Sequence, residues 1–222
     1  MIEKKQNKEK RIPKTTPKLD VTLSEEQKKV AELFYQYDVS FIIGDFGSGK
    51  TLSAVHTALS YFNKRECNNI WITRPMLKNN LSALPGTLEE KMQPYTFPVI
   101  QNLEVCQGKE KTQKMLKDGI IKIMPIDVAK GVTFIDSVVV VDEFQDMDYI
   151  DFRTILTRLG KGSKMLFCGS KQQIDSKIGK NSCFFITEKL EESGLVGYVT
   201  LKSNHRNEIL TKIIDYIEKT DL

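Results

Sequence analysis

The stretch Gly44-Asp45-Phe46-Gly47-Ser48-Gly49-Lys50-Thr51 has the spacing G-x-x-x-x-G-K-T, residue types suited to holding a polyphosphate. Glycines permit tight turns and a bare backbone, so that amide N–H groups converge on an anion. A helix starting at such a loop adds unpaired N–H groups and the positive end of its dipole. In this arrangement Lys50 reaches the β- and γ-phosphates and the Thr51 hydroxyl holds Mg²⁺. The flanks suit that role: Val39 to Ile43 is an apolar run that reads as a strand, and Leu52 to Phe62 is helix-forming. A glycine-rich turn before an ordinary helix is the plainer alternative, and the strand and helix on either side weigh against it.

A second group of chemical interest closes the run Val138-Val139-Val140-Val141-Asp142-Glu143. An apolar strand ending in two carboxylates places them at the carboxyl edge of a sheet, where α/β proteins bind ligands. Asp142 is then expected to order the Mg²⁺ shell, largely through water. Glu143 is placed to polarise the water that attacks a γ-phosphate, a general-base role worth about 10²–10⁴-fold. The alternative is an acidic pair at a helix N-terminus. Guanine-reading GTPases use a late N-K-x-D element, and Asn63-Lys64-Arg65-Glu66 is wrong in residue and position. ATP is therefore the expected nucleotide.

These groups need a scaffold, and the chain alternates apolar runs with helix-period segments from residue 24 onward. Strands are predicted at Val39–Ile43, Ile70–Thr73, Ile120–Met124, Val138–Val141, Met165–Cys168 and Tyr198–Leu201. The intervening lengths suit crossover helices, which implies an α/β fold with a doubly wound, mostly parallel sheet and helices on both faces. Val138 to Val141 lacks polar alternation, as a central strand covered on both faces should. Residues 76–98, with Pro85, Pro94 and Pro98, read as a helical excursion after the second strand. No internal repeat is evident, and residues 19–222 read as one domain.

The net charge of +4 is unevenly distributed. Residues 1–18 carry seven lysines and arginines against two glutamates, a net +5, which leaves −1 for the remainder. This tail has little apolar content and is expected to be disordered. It reads equally as an arm for a nucleic-acid backbone or as a solubilising tail. Cys67, Cys106, Cys168 and Cys183 show no C-x-x-C spacing, which argues against a zinc site and for reduced, buried thiols. No apolar run approaches the roughly 20 residues that span a bilayer. The N-terminus is not signal-like, so a cytoplasmic protein without membrane partners is expected.

Further motifs carry a family resemblance. Ile72-Thr73-Arg74-Pro75, the run from Leu84-Pro85-Gly86-Thr87-Leu88-Glu89-Glu90-Lys91 to Tyr95, and Leu156-Thr157-Arg158-Leu159-Gly160 before Gly162-Ser163-Lys164-Met165 together resemble PhoH-family ATPases. These are the phosphate-starvation-inducible proteins, also carried by many phages. The resemblance runs from about residue 22 to about residue 178. It implies a RecA-like P-loop NTPase core allied to superfamily 1 helicases. Within that kinship, Asp142-Glu143-Phe144-Gln145 is similar to D-E-x-Q, and Gly169-Ser170-Lys171-Gln172-Gln173 is similar to G-D-x-x-Q. Gln173 is thereby implied as a γ-phosphate sensor, while Ser170 departs from the usual Asp. Leu201-Lys202-Ser203-Asn204-His205-Arg206 resembles L-x-x-N-Y-R, implying that Arg206 contacts the γ-phosphate.

By the same resemblance Gln27 reads adenine, although Ser24-Glu25-Glu26-Gln27 is also a helix capping box, and the two roles are compatible. Thr73 and Arg74 resemble an element that holds a single-strand backbone. Arg158 reads either as a finger into a neighbour's site or as a surface arginine late in a helix. His56 and Trp71 read as packing residues. The resemblance implies a Mg²⁺-dependent ATPase acting on single-stranded nucleic acid, RNA favoured over DNA. One RecA-like core is half of a helicase site, so a homo-oligomer is implied, with a hexameric ring as the candidate assembly. The rival reading is a nucleotide-switched binding module without helicase activity.

Overall fold

The computed structural model describes residues 19–75 and 88–203, with residues 209, 212, 213, 216 and 217, and only the backbone of 88–94. The basic tail and the first part of the excursion, residues 76–87, lie outside the described residues. The strands are β1 (Val39–Gly44), β2 (Asn69–Arg74), β3 (Ile121–Pro125), β4 (Ser137–Asp142), β5 (Lys164–Gly169) and β6 (Gly197–Leu201). Each overlaps the run predicted for it. They form one sheet in the order β3-β2-β4-β5-β1-β6, and all five pairings are parallel.

Between residues 19 and 203 the described helices are α1 (Glu25–Gln36), α2 (Lys50–Asn63), α3 (Leu88–Gln107), α4 (Lys109–Lys117), α5 (Ile126–Ala129), α6 (Tyr149–Leu156) and α7 (Phe184–Glu192). Strand side chains alternate between faces, so each strand feeds two cores. Ile42, Val138, Val140 and Leu166 pack with Val30 and Phe34 of α1, Ala54 and Ala58 of α2, and Val99 and Leu103 of α3. On the other face Phe41, Val139, Val141, Met165 and Phe167 meet Ile126 of α5, Phe152 and Ile155 of α6, and Phe184 of α7. Cover on both sides leaves every residue of β4 buried, which is why its sequence has no polar alternation.

Two features of this layout position the chemistry. β5 lies between β1 and β4, so the ends of β1 and β4 are two strand spacings apart, about 10 Å. The loop after β1 and the first turn of α2 must bridge that gap. The excursion is a longer helix than predicted: α3 starts at Leu88 and continues through Pro94 and Pro98 to Gln107. It packs across α2 and brings Pro98 and Asn102 to the loop that follows β1.

The second core is dominated by aromatic rings. Phe167 stacks on Phe41 at 5.0 Å between centroids and meets Phe152 at 5.3 Å and Phe144 at 5.7 Å. Phe167→Ala should therefore lower stability by about 3–5 kcal/mol, read as a drop in the urea midpoint at unchanged m. A cost below about 1 kcal/mol would contradict this packing.

Candidate functional site

The loop between β1 and α2 has the backbone that its glycines suggest. Gly47 (φ 82°) and Gly49 (φ 79°) occupy the left-handed region, where a side chain is strained. Gly44 serves a different purpose: a Cβ there would stand 2.7 Å from the Leu201 carbonyl oxygen of β6. Lys50 is only 9% exposed, and its Nζ donates to the Asp45 carbonyl at 3.0 Å. That carbonyl also accepts from Ser48 N at 3.3 Å and Ser48 Oγ at 2.9 Å. A buried ammonium has three donors to satisfy, and one shared carbonyl leaves it seeking an anion.

Across the gap, Thr51 Oγ1 donates to Asp142 Oδ1 at 2.8 Å, joining the start of α2 to the end of β4. Asp142 is 3% exposed. Burial, and then the neighbouring Glu143 charge, push its pKa up to about 6, against the opposing pull of Thr51, Arg74 and Lys50. A carboxylate so placed is short of positive charge, which fits a divalent cation at this position. Glu143 takes a left-handed backbone (φ 53°, ψ 41°). That turn swings its carboxylate into the cleft while Phe144 and Gln145 of the short 3₁₀ turn stay buried. Such a conformation costs a non-glycine residue about 1–3 kcal/mol.

Gln145 holds the arrangement from behind. Its Nε2 donates to Glu143 Oε2 at 2.8 Å and to the Gln173 carbonyl at 3.4 Å, and its Oε1 accepts from Ser170 N at 3.3 Å. Room for this amide comes from Gly169, where a Cβ would sit 2.7 Å from Gln145 Oε1. Ser170 is fully buried, and its hydroxyl has no partner among the described residues. Gln173 is exposed and lines the cleft.

The remaining predicted residues divide. Gln27 is 5% exposed and completes the capping box with Ser24, while its Nε2 donates to the Ser48 carbonyl of the loop at 3.4 Å. Arg74 turns into the cleft, its Nη2 3.8 Å from Glu143 Oε1. Thr73 is 1% exposed, and its hydroxyl has no partner among the described residues. Arg158 lies at the amino ends of β4 and β5, where its carbonyl accepts from Phe134 N, so it is at the opposite edge of the sheet from Thr51. Arg206 lies outside the described residues. His56 is half-buried, with its pKa pushed down by burial, and Trp71 packs edge-on against Phe134.

Two contributors were missed in the sequence. Asn102 of α3 lines the cleft and back-bonds to the Pro98 carbonyl at 2.9 Å. An asparagine inside a helix was the available signal, since its side chain competes with the backbone. Glu26 accepts from Lys202 N at 2.8 Å and Ser203 N at 2.9 Å, fixing the exit of β6 to α1. No local pattern marks that contact.

Together these groups line a cleft of about 350 Å³ bounded by the loop, Arg74, Asp142, Glu143, Gln173 and α3. A glycine loop at a helix start, a buried lysine, and a hydroxyl bonded to a strand-end carboxylate define a P-loop NTPase with a RecA-like, doubly wound sheet. Within that class the chain belongs to the PhoH-like protein family, whose profile matches residues 21–218. It is 32% identical over 199 residues to a PhoH-like protein of Bacillus subtilis (strain 168), covering 87% of this chain and 62% of the relative. A PhoH-like protein of Mycobacterium tuberculosis is 30% identical over 195 residues, covering 85% of this chain and 55% of the relative. The chain thus spans between 55% and 62% of the length of these relatives. The large terminase from a thermophilic bacteriophage aligns with a TM-score of 0.51 at 14% identity, over 82% of this chain and 46% of that one, a likeness of fold alone.

The raised pKa of Asp142 has a consequence for ligand-free stability. A carboxyl whose folded pKa is raised favours the folded state when protonated, so stability is greatest below about pH 4 on this account and declines as pH rises towards 6. Asp142→Asn should flatten that decline and raise the melting temperature at pH 7, by about 2–4 °C for each kcal/mol of relieved repulsion. A variant that melts several degrees below wild type at pH 7 without ligand would contradict the electrostatic account.

Proposed function

We propose that this PhoH-like chain is a Mg²⁺-dependent ATPase that couples hydrolysis to holding or unwinding single-stranded nucleic acid. The observation that carries the proposal is the Thr51–Asp142 bond, with Glu143 turned into the same cleft by a left-handed backbone. Gly44, Asp45, Phe46, Gly47, Ser48 and Gly49 would wrap the phosphates, and Lys50 would give up the Asp45 carbonyl for a phosphate oxygen. Thr51 and Asp142 would hold Mg²⁺, which when bound supplies charge neutralisation at the phosphate oxygens. Glu143 orients and polarises the attacking water, and Gln145 fixes one of its carboxylate oxygens. Gln173 senses the γ-phosphate from the cleft wall. Gln27, behind the loop, is the adenine-contact candidate, and Arg206 is a further cationic candidate.

A homo-oligomeric ring belongs to the same proposal. A cytoplasmic location belongs to it as well. No described helix is long and apolar enough to cross a membrane. One feature favours a second reading, a nucleotide-switched binding module without unwinding. Ser170 stands where the similar helicase motif has Asp, and its hydroxyl is buried without a partner among the described residues.

ATP turnover with and without single-stranded RNA or DNA separates the two. Strong stimulation supports the motor, and slow turnover indifferent to the strand supports the switch. Glu143→Gln should lower kcat about 10²–10⁴-fold with ATP still bound; turnover at the wild-type rate would remove Glu143 as the base. Lys50→Ala should lose ATP binding by isothermal titration calorimetry. In light scattering with ATP, a mass equal to one chain at working concentration would count against the ring.

A further inference from the structure

Two helices start side by side on the second face of the sheet, near its carboxyl edge, and a groove of about 690 Å³ lies between their first turns. That is roughly twice the volume of the nucleotide cleft. Tyr149 and Ile150 of α6 form one wall, and Phe185 of α7 forms the other. These side chains are 53%, 71% and 44% exposed, unusual for large apolar groups on one small patch. Lys177, Lys180 and Lys189 complete the rim, and none of them forms an ion pair with a described residue. The one carboxylate among the described residues of the rim, Asp148, is engaged as the cap of α6, accepting from Asp151 N at 2.8 Å.

We infer that this groove holds a single nucleic-acid strand, an inference that rests on the nucleic-acid part of the function proposed above. Three ammonium groups without a described counter-ion, beside two exposed rings, suit a chain of phosphates that also carries stacking faces. A simple anion would leave the rings exposed, and an apolar peptide would leave the lysines unanswered. The residues expected to take the strand, Thr73 and Arg74, do not line this groove: Thr73 is buried, and Arg74 lines the nucleotide cleft beside Glu143.

The groove is also wired to the hydrolytic site. Its floor, formed by Ile178 and residues 181–183, follows Gln173 in the chain, and Gln173 lines the nucleotide cleft. Ser182 Oγ donates to the Gln145 carbonyl, Cys183 N to the Met147 carbonyl at 2.8 Å, and Asp175 N to Asp146 Oδ1 at 3.0 Å. The segment under the strand is thus bonded to Gln145 and Asp146 of the turn that follows Glu143, and to Met147 beside it. A strand that shifts this floor moves Gln145, and Gln145 holds Glu143.

The test is fluorescence anisotropy of labelled 20-nucleotide oligo(U) and oligo(dT) across a salt series. Tyr149→Ala with Phe185→Ala should weaken binding about tenfold or more. Lys177→Ala, Lys180→Ala and Lys189→Ala combined should reduce the salt slope by about 2. Lys180→Glu alone, a surface change, should weaken binding, and Lys180→Arg should retain it; melting curves confirm that each variant folds. Wild type that binds strand, with variants that bind equally and keep the salt slope, would overturn the groove alone. Wild type that binds no strand would overturn the groove together with the nucleic-acid part of the proposed function. Variants that bind strand normally but change the oligomeric mass would reassign the groove as a surface between copies, which also overturns the inference.

Discussion

The site is organised around one side-chain amide, that of Gln145. It is 1% exposed, so each of its polar atoms must find a partner inside the protein. Ser170 N needs an acceptor, which fixes the amide oxygen, and the two amide hydrogens then go to Glu143 and the Gln173 carbonyl. No freedom remains in the group. Gln145 thus joins the segments that leave β4 and β5, and position 169 is glycine because this amide and the Phe144 ring fill the space of a side chain.

That rigidity sets off two locally unfavourable features. Asp142 is a buried carboxylate beside another carboxylate, and Glu143 has a backbone conformation that most residues avoid. Neither would persist in a soft environment. The aromatic packing of Phe144 against Phe167 and Phe184 anchors the turn from below, and the Thr51 hydroxyl anchors Asp142 from the side. Stability is spent where charge must wait for a counter-charge.

Much of this was legible in the residues. The six strands could be read because each is a short apolar run with helix-length intervals, and β4 announced its central place by lacking polar alternation. The phosphate loop and Asp142-Glu143 could be read because their chemistry is local in sequence. The rest was not local. The length of α3 was hidden by Pro94 and Pro98, which argue against a continuous helix, yet it runs through both. Thr73 and Arg74 are adjacent and share one role by resemblance, but strand alternation sends one side chain into the core and the other into the cleft. Gln145 was recognisable by motif, while its partners at Ser170 and Gln173 depend on β5 lying beside β4.

The first turn of α1 carries two neighbours with separate anchorages. Gln27 is bonded to the phosphate loop through Ser48, and Glu26 grips the backbone of Lys202 and Ser203 where β6 ends. Consecutive residues on a helix diverge by about 100° around its axis, so this one turn works like a hinge pin passed through two plates. The loop that meets the phosphates and the end of β6 are thereby both attached to α1 within less than a single turn of helix.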